Sequence, residues 1–408
     1  MQRGICPICG CNHLEELLLL PQVPVFVNVL PDNAEDAKSF LRGDQRLTLC
    51  KHCGFIFNSA FEPQKVIYND EYHAERANSA YYLDHIDYVL DLIDSVSPIR
   101  NRNLLEVACG SGEFLKEAVK RKPRNAIGVD PSAYEIEDAP LHLHKALFDE
   151  DYLNKLSDPV DILINRHMIE HILNPLEMLK RFHRALVDGG ILYLETPRLD
   201  WILENRVFFD FSYEHCAYYS DKFIVRLLKM AGFEVIKLAN SYEGQYFSIC
   251  ARKSVYQPMT ISMSIAEAEV LQIRELFSTL SNAYNRLNRI ETYQRFCTET
   301  LRTDVSVRNH CSTAPNTVYL WGASGKGVMC ANLLDQWPIA GLIDQNPYKQ
   351  GRYVPGDGAL IISPDNIAYP AVQAVLVEND VYLDEIRASA KKIDLRIQVC
   401  SLCQMLNK

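Results

Sequence analysis

Residues 103–132, NLLEVACGSGEFLKEAVKRKPRNAIGVDPS, decide the fold class of this chain. Their pattern predicts a buried strand, a turn of small residues, a helix and a second strand that ends on Asp130. Gly110 and Gly112 leave room for the backbone of the turn to approach a ligand closely. Asp130, at the carboxyl end of the second strand, is placed to accept hydrogen bonds from two ribose hydroxyls. The segment therefore predicts nucleotide binding at the switch point of an open α/β sheet.

Two residues favour S-adenosylmethionine (SAM) over a dinucleotide as the ligand. Ala108 stands where a dinucleotide fingerprint has its first glycine, and the acidic Glu106 lies in the strand just before the turn. A carboxylate at that point would repel a pyrophosphate, which helix N-termini otherwise attract. The same carboxylate suits a sulfonium or an amino-acid ammonium group, so the pattern indicates a methyl-donor site.

The residues that follow resemble the class I methyltransferases. LFDED (147–151) is a candidate adenine-contacting loop, and residues 160–197 resemble the fourth strand, its helix and the fifth strand of that fold. The resemblance implies a Rossmann-like α/β domain that binds SAM. The candidate cofactor residues are Glu106, Ala108, Gly110, Gly112, Asp130, Pro131, Phe148, Asp149, Asn165, Arg166 and His167.

Length, charge and cysteine content set limits on the class of protein. A chain of 408 residues is long enough for two to four domains. Its net charge of −10 argues against a nucleic-acid partner, and no apolar run approaches the length of a membrane span. Thirteen cysteines, an odd number in a long chain, fit reduced thiols and a metal site better than a disulfide framework. We expect a cytoplasmic protein that acts on a small molecule.

Two CxxC pairs indicate a metal site near the N-terminus. Cys6 and Cys9 form the first pair, Cys50 and Cys53 the second, and a glycine follows each pair. Four thiolates in such pairs complete a closed tetrahedral zinc site, which stabilises a fold without taking part in catalysis. We therefore expect structural Zn²⁺.

A second glycine-rich turn indicates another Rossmann-like domain near the C-terminus. Residues 322–327, GASGKG, follow an apolar strand and place Lys326 at a helix N-terminus, a natural anion site. Asp344 follows at about the 20-residue distance expected of a ribose-binding acid. The apolar spacing before this domain predicts one long helix or a helical hairpin, whose polar face is either solvated or a dimer interface. The chain thus divides into a zinc domain (1–65), a methyltransferase domain (66–253), a helical connector (254–310) and a Rossmann-like substrate domain (311–408).

Tyr213, Glu214 and His215 are the candidate catalytic residues. They precede a predicted helix that begins after Ser220, so their loop is expected near the strand ends where substrates bind. Methylation of a carbon next to a ketone needs a base, and a histidine beside a carboxylate can serve near neutral pH. The alternative is that His215 only bonds a helix terminus or a carbonyl. His167 and His171 are four residues apart on an expected helix, but HMIEH lacks the HExxH order of a zinc protease.

Over nearly its whole length the chain resembles the bacterial sugar C-methyltransferase family, which methylates nucleotide-linked keto-deoxysugars. The resemblance rests on CPIC with CKHCG, EVACGSGEFL with GVDPS, the EHCAYYS loop, and WGASGKG with IDQNPYKQGRYVPG. It implies that the substrate lies between the central and C-terminal domains and that His215 is the base. One loop departs from the family's Tyr-His-Glu-His run, because here Tyr213 directly precedes Glu214. The candidate substrate residues are Tyr72, Tyr218, Gly322, Ser324, Lys326, Asp344, Lys349 and Arg352.

The sequence therefore predicts a SAM-dependent C-methyltransferase that acts on a nucleotide-linked sugar or a related polar metabolite, as a monomer or homodimer. An O- or N-methyltransferase on the same scaffold is the nearest alternative. An NAD-dependent oxidoreductase built on the C-terminal half is the alternative from another class.

Overall fold

The computed structural model describes residues 4–66, 80–156, 158–254, 264–300 and 317–407. The N-terminal domain is built on a small antiparallel sheet with a short helix between its first two strands. Its elements are β1 (Leu14–Pro24), α1 (Ala34–Lys38), β2 (Arg42–Cys50) and β3 (Ile56–Asn58). A two-residue strand from the central domain, β10 (Ala217–Tyr218), pairs with β3 and completes this sheet in the order β1-β2-β3-β10. The central and N-terminal domains therefore share a sheet.

The central domain is a three-layer α/β unit. Its strands are β4 (Asn103–Val107), β5 (Asn125–Asp130), β6 (Ile136–Asp138), β7 (Leu141–Lys145), β8 (Val160–Arg166), β9 (Leu186–Pro197), β11 (Phe233–Ser241) and β12 (Tyr246–Lys253). Its helices are α2 (Ala80–Val96), α3 (Glu113–Ala118), α4 (Glu150–Lys155), α5 (Pro175–Ala185), α6 (Leu199–Glu204) and α7 (Asp221–Met230). Ser220 caps α7, as its sequence predicts, and Asn174 caps α5 ahead of Pro175.

The eight-stranded sheet has the order β11-β12-β9-β8-β4-β5-β7-β6. Its five inner strands, β9 to β7, are parallel, and β12 and β11 add antiparallel strands at one edge. All five residues of β4 are buried, because helices cover both faces of the sheet. The chain runs from β4 to β5 on one side and to β8 on the other, so the switch point lies at the carboxyl end of β4.

The connector is a helical hairpin, α8 (Glu267–Leu287) followed by α9 (Ile290–Thr300). The apolar face of α8, which includes Ile273, Phe277 and Leu280, is buried in a core shared with β1 and the C-terminal domain. Arg274 also pairs with Glu15 of β1 through both carboxylate oxygens, at 2.6 Å each. The apolar face of α8 is therefore covered within the chain.

The C-terminal domain is a five-stranded parallel sheet with the order β15-β14-β13-β16-β17. Its elements are β13 (Val318–Trp321), α10 (Gly325–Leu333), β14 (Ile339–Ile343), β15 (Leu360–Ile362), β16 (Ala374–Val377), α11 (Leu383–Ile393), β17 (Gln398–Ser401) and α12 (Leu402–Leu406). The switch point lies between β13 and β16. Among the described residues, no helix has both the length and the apolar character needed to cross a membrane.

Candidate active site

The turn after β4 has the left-handed backbone that its small residues predict. Ala108, Gly110 and Gly112 have φ angles of +64°, +53° and +76°. A side chain at Gly110 would meet no atom within 4 Å, whereas a Cβ at Gly112 would lie 2.7 Å from Leu143 Cδ1. Gly110 therefore leaves the turn open for a ligand. Gly112 is required instead for packing against β7.

Asp130 is held rigidly at the end of β5. Its Oδ2 accepts the backbone N–H of Gly110 at 3.0 Å, and its Oδ1 accepts from Ser132 N and Oγ at 2.7 and 2.6 Å. These three bonds leave one acceptor position, on Oδ2, because a carboxylate has about four in all. The carboxylate is thus oriented beside the turn, where a ribose diol can reach it.

Glu106 provides the clearest evidence that the turn binds a ligand. Its side chain is buried, and Oε2 has no hydrogen-bond partner in the part of the chain that the structure describes. Burial raises the pKa of Glu106 to about 8, and the Asp130 and Glu195 carboxylates add to the shift, although Arg166 opposes it. An ammonium group beside Oε2 would supply the missing donor and favour the ionised form. The residues around the turn therefore fit the amino-acid end of SAM.

Other predicted cofactor residues have structural partners. Asp149 Oδ1 accepts from Tyr152 N at 2.9 Å and caps α4, and Phe148 is buried 5.7 Å from the ring of Phe182. Asn165 Nδ2 donates to the carbonyl of Val107 at 3.1 Å. Pro131 lies between Asp130 and Ser132 and continues the strand end into the next bend. Asp149, Phe148 and Asn165 therefore have contacts within the domain that hold their side chains in place.

Glu195, at the carboxyl end of β9, anchors a buried network that the sequence did not reveal. Its carboxylate contacts His85 Nε2 at 2.9 Å, Arg166 Nη2 at 2.9 Å, His167 Nε2 at 3.0 Å and the hydroxyl of Tyr193 at 2.9 Å. Burial alone would raise the pKa of Glu195, but Arg166, His167 and His85 together hold it well below its usual value. This network lies close to Glu106, because Arg166 and Glu195 both influence the pKa of that residue. Its only signal in the sequence was an acid inside an apolar strand.

The two histidines expected on one helix lie elsewhere, and that expectation was wrong. His167 follows β8 with φ +51°, and His171 ends a short 3₁₀ turn, Ile169–His171. The ring of His171 packs edge-on against that of His215, with centroids 4.8 Å apart. Burial and the neighbouring His215 lower the pKa of His171 to about 3, so its ring is neutral at physiological pH.

Glu170 lies between this histidine pair and His167, which contacts Glu195. Its Oε2 accepts from Thr196 Oγ1 at 2.9 Å, and its Oε1 lies 3.6 Å from His167 Nδ1. Burial would raise the pKa of Glu170, but the hydrogen bond from His167 and electrostatic interactions with the three neighbouring histidines outweigh it and lower the pKa to about 2. Ligand atoms of Glu170, His171 and His215 lie within 4.8 Å of one another, close enough to hold a metal ion. The same arrangement can accept a proton on His215 beside a fixed negative charge.

Two tyrosines of the predicted catalytic loop, Tyr213 and Tyr218, contact the N-terminal domain. Tyr213 is fully buried against Phe61, and its hydroxyl accepts the N–H of Glu62 at 2.9 Å. Tyr218 is also buried, and Gln45 Nε2 donates to its hydroxyl at 2.5 Å. Both tyrosines therefore join the loop to the N-terminal domain, and we leave them out of the proposed site.

Glu214 and His215 have different neighbours, although they are adjacent in sequence. Glu214 is buried and its Oε2 accepts the N–H of Val27 at 3.3 Å. His215 remains partly exposed beside His171. Tyr72, predicted to contact substrate, lies outside the described residues.

The cations predicted to bind an anion in the C-terminal domain are paired within the chain. Lys326 Nζ lies 3.2 Å from Asp210 Oδ2 and 2.7 Å from Gln245 Oε1, both in the central domain. Lys349 Nζ donates to the carbonyl of Ala323 at 2.9 Å and lies 3.5 Å from Asp344. Arg352 pairs with Asp32 of the N-terminal domain. Lys326 is thus a contact between domains, and this placement does not support an anion site on it.

The surroundings of Asp344 and Gly322 also differ from those of the corresponding residues in a dinucleotide-binding site. Asp344 Oδ2 accepts from Ala323 N at 2.8 Å, and a Cβ at Gly322 would lie 2.4 Å from Glu378 Oε1. A carboxylate therefore occupies the side of the turn where a pyrophosphate would bind, which argues against the NAD-dependent alternative.

The four cysteines predicted to bind zinc come together. Their Sγ atoms lie within 4.8 Å of one another, with Cys6 to Cys53 at 3.6 Å and Cys9 to Cys50 at 3.5 Å. Sulfurs around a tetrahedral zinc are about 3.8 Å apart, given Zn–S bonds of about 2.3 Å. The cluster has the donor type, number and spacing of a closed structural zinc site.

The sheet order, the turn and the acids at the strand ends define a class I methyltransferase domain. Residues 75–238 match the family model described as methyltransferase domain, and residues 267–396 match the model described as C-methyltransferase C-terminal domain. The central domain is thus a SAM-dependent methyltransferase domain, and the expected fold class is confirmed.

Similar proteins include one that matches along most of the chain. The C-methyltransferase NovU of Streptomyces niveus is 22% identical over 378 residues, which cover 89% of this chain and 86% of NovU. A tRNA U34 carboxymethyltransferase of Helicobacter pylori is 27% identical over 120 residues, or 27% of this chain and 46% of the relative. A ubiquinone biosynthesis O-methyltransferase of Rhodopseudomonas palustris is 30% identical over 113 residues, or 26% of this chain and 44% of the relative. The chain spans about half the length of these last two relatives.

Solved structures with methyltransferase folds align with less than half of the chain. A SAM-dependent methyltransferase from Mesorhizobium loti aligns over 43% of this chain and 100% of its own, with 13% identity and a TM-score of 0.33. The cyclase SpnF aligns over 45% of this chain and 86% of its own, with 13% identity and a TM-score of 0.33. Scores this low add no argument to the fold described above.

Proposed function

We propose that this protein transfers the methyl group of SAM to a carbon atom of a nucleotide-linked keto-deoxysugar or a closely related polar metabolite. The observation that carries the proposal is the imidazole of His215, partly exposed beside neutral His171 and above the buried carboxylate of Glu170. The match of residues 267–396 to a C-methyltransferase C-terminal domain supports carbon as the methyl acceptor. The similarity to NovU, which extends over the same domains, supports it further.

SAM would be held by the turn after β4, with Asp130 beside the ribose and Glu106 beside the amino group. It supplies an electrophilic methyl group on a sulfonium sulfur. Arg166 and His167, held by Glu195, shape the side of the pocket next to the histidine pair. The backbone of the turn and the buried acids would therefore position the donor.

His215 acts as the base in this proposal. A ring nitrogen of His215 takes the proton from the carbon next to the substrate's ketone, and the electrons of that C–H bond form the new C=C bond while the carbonyl π electrons pass to oxygen. The resulting carbon nucleophile forms the new C–C bond with the methyl group, and the electron pair of the broken C–S bond stays on sulfur. Glu170 stabilises the positive charge that His215 acquires, because it stays ionised close to the ring.

The proposal predicts that His215→Ala abolishes methyl transfer while SAM affinity stays near that of the wild type. His142→Ala is the matched control, since His142 lies on β7 and pairs with Glu137 at the surface. Turnover is measured with radiolabelled SAM and a panel of nucleotide-linked keto-sugars, and SAM affinity by calorimetry. Full activity of the His215 variant would remove it as the base. Equal loss of SAM affinity in that variant would assign it a structural role.

The proposed setting is the cytoplasm, with a small molecule as the partner. The cysteines of the described residues form no disulfide bond with one another, which suits a reducing compartment. The bound Zn²⁺ would stabilise the N-terminal domain, which carries β3 and thereby supports the loop of His215.

A further inference from the structure

The switch point of the C-terminal sheet contains a buried acid that the proposed chemistry does not use. β13 and β16 are adjacent parallel strands, and the chain leaves them in different directions. Gly322 to Ser324 follow β13, and Glu378 follows β16. In open α/β sheets, ligands bind in the crevice between the carboxyl ends of two such strands.

Glu378 is incompletely satisfied in this crevice. The residue is 5% exposed, and its Oε2 has no hydrogen-bond partner within the described ranges. Its Oε1 accepts a long bond, 3.3 Å, from Ser324 Oγ, and a hydrogen bond from the backbone of Glu378 itself lowers the pKa of the carboxyl in part. A buried carboxylate oxygen without a donor is costly, so the site is completed by a group that donates a hydrogen bond.

The beginning of α10 supplies donors next to this acceptor. Ser324 is the N-cap of α10; its hydroxyl accepts no N–H of the first turn and donates to Glu378. The first-turn N–H groups of a helix have no intrahelical partner. A group bound here thus meets backbone donors and a carboxylate acceptor at the same point, which suits a hydroxyl group because it both accepts and donates.

Charge in the crevice disfavours a phosphate. Lys326 is already paired with Asp210 and Gln245, and Lys349 with Asp344 and the Ala323 carbonyl. Burial raises the pKa of Glu378 to about 7, Lys326 opposes the shift, and Asp344 adds to it. A phosphate bound at this point would therefore face carboxylates without a cation of its own.

We propose that Ser324 and Glu378, at the N-terminus of α10, form a subsite for a hydroxyl group on an uncharged sugar ring. The backbone N–H groups of α10 donate hydrogen bonds to the hydroxyl oxygen, and Glu378 accepts a hydrogen bond from the hydroxyl. The occupant is part of the methyl acceptor, and in that respect the assignment rests on the proposed function. It differs from the anion site that the GASGKG turn suggested.

Binding of two simple probes tests this subsite in the full-length protein. D-Glucose represents a hydroxyl-bearing ring and inorganic pyrophosphate an anion, and saturation-transfer NMR measures the affinity of each. Glu378→Gln keeps the shape of the side chain but removes its charge, and Ser324→Ala removes the hydroxyl. Glu385→Gln, on the exposed face of α11, is the matched control. Thermal unfolding confirms that each variant is folded.

We expect wild-type protein to bind glucose and Glu378→Gln to bind it roughly tenfold more weakly or worse, the loss typical of a hydrogen bond to a charged group. Ser324→Ala should bind glucose more weakly as well, and Glu385→Gln should match the wild type. Absence of glucose binding to the wild type, or equal affinity in Glu378→Gln, would overturn the subsite. Pyrophosphate binding that strengthens in Glu378→Gln would overturn it in favour of an anion site. These measurements need no methyl transfer. Their result therefore does not depend on whether the proposed reaction occurs.

Discussion

Replacing Lys326 with methionine should weaken the contact between the central and C-terminal domains. The ammonium lies 3.2 Å from Asp210 Oδ2, 2.7 Å from Gln245 Oε1 and 4.9 Å from the centre of the Trp201 ring. The side chains of Lys326 and Asp210 are only 12% and 13% exposed. Lys326→Met would leave Asp210 buried without its cation, a change that costs about 3–5 kcal/mol for a fully buried pair. Because both groups retain some exposure, we expect about 3 kcal/mol.

The measurement is urea unfolding followed by tryptophan fluorescence, since Trp201 contacts Lys326 directly. Burial would lower the pKa of Lys326, but Asp210 raises it above its ordinary value. The stabilisation is therefore complete below the unfolded-state pKa of about 10.4 and is lost only as pH rises through the higher folded-state value. An assay near pH 7.5 thus reports the whole effect.

The double variant Asp210→Asn/Lys326→Met should recover much of the loss, and Lys391→Met, on the exposed face of α11, should behave as the wild type. If Lys326→Met unfolds at the wild-type urea concentration, Lys326 is not a contact that joins the domains.

Three further predictions concern the metal and the cofactor. Cys50→Ser should release zinc and destabilise the N-terminal domain, because metal binding contributes to its folding. Metal analysis and circular dichroism of the variant measure both effects. Unchanged zinc content would contradict the prediction. Asp130→Ala should weaken SAM binding by at least ~1.5 kcal/mol in calorimetry, and unchanged affinity would mean that the ribose lies elsewhere. SAM affinity should rise between about pH 6 and 7.5, because the pKa of Glu106 is raised to about 8 and the ammonium binds its ionised form. Glu106→Gln should remove this pH dependence, and a persisting slope would assign it to another group.

The α/β fold was predictable because its signals are local. The strand, turn, helix and strand of residues 103–132 occupy one continuous segment, and the structure has β4, α3 and β5 there. The N-caps of α5 and α7 follow the same logic, since a cap depends on residues three positions apart. Patterns that lie within one short, continuous segment therefore predict the helices and strands of that segment and the turn between them.

The network around Glu195 was not predictable, because it depends on strand register and on residues that are distant in sequence. Glu195 meets His85 across 110 positions, and it meets Arg166 only because β8 and β9 pair in parallel register. An isolated acid in an apolar strand indicated a buried partner but not which one. The pairing of His171 with His215 depends on the 3₁₀ turn after β8, which the pattern HMIEH did not distinguish from a helix.

Lys326 shows how a local signal can be overridden. A lysine in a glycine-rich turn at a helix N-terminus favours an anion site, yet Gln245 and Asp210 of another domain take up its charge. The sequence also did not single out Glu378, because an acid after a strand is unremarkable until its burial is known. Domain packing therefore decides the chemistry of the C-terminal crevice.

The most direct test of the central claim follows a labelled methyl group. The purified protein is incubated with ¹³C-methyl SAM and a panel of nucleotide-linked keto-sugars and hydroxy-sugars, and NMR locates the label in the product. The account predicts a methyl resonance on a carbon next to the former ketone, absent from the His215→Ala reaction. A methoxy resonance would contradict carbon methylation and assign the domain to oxygen chemistry.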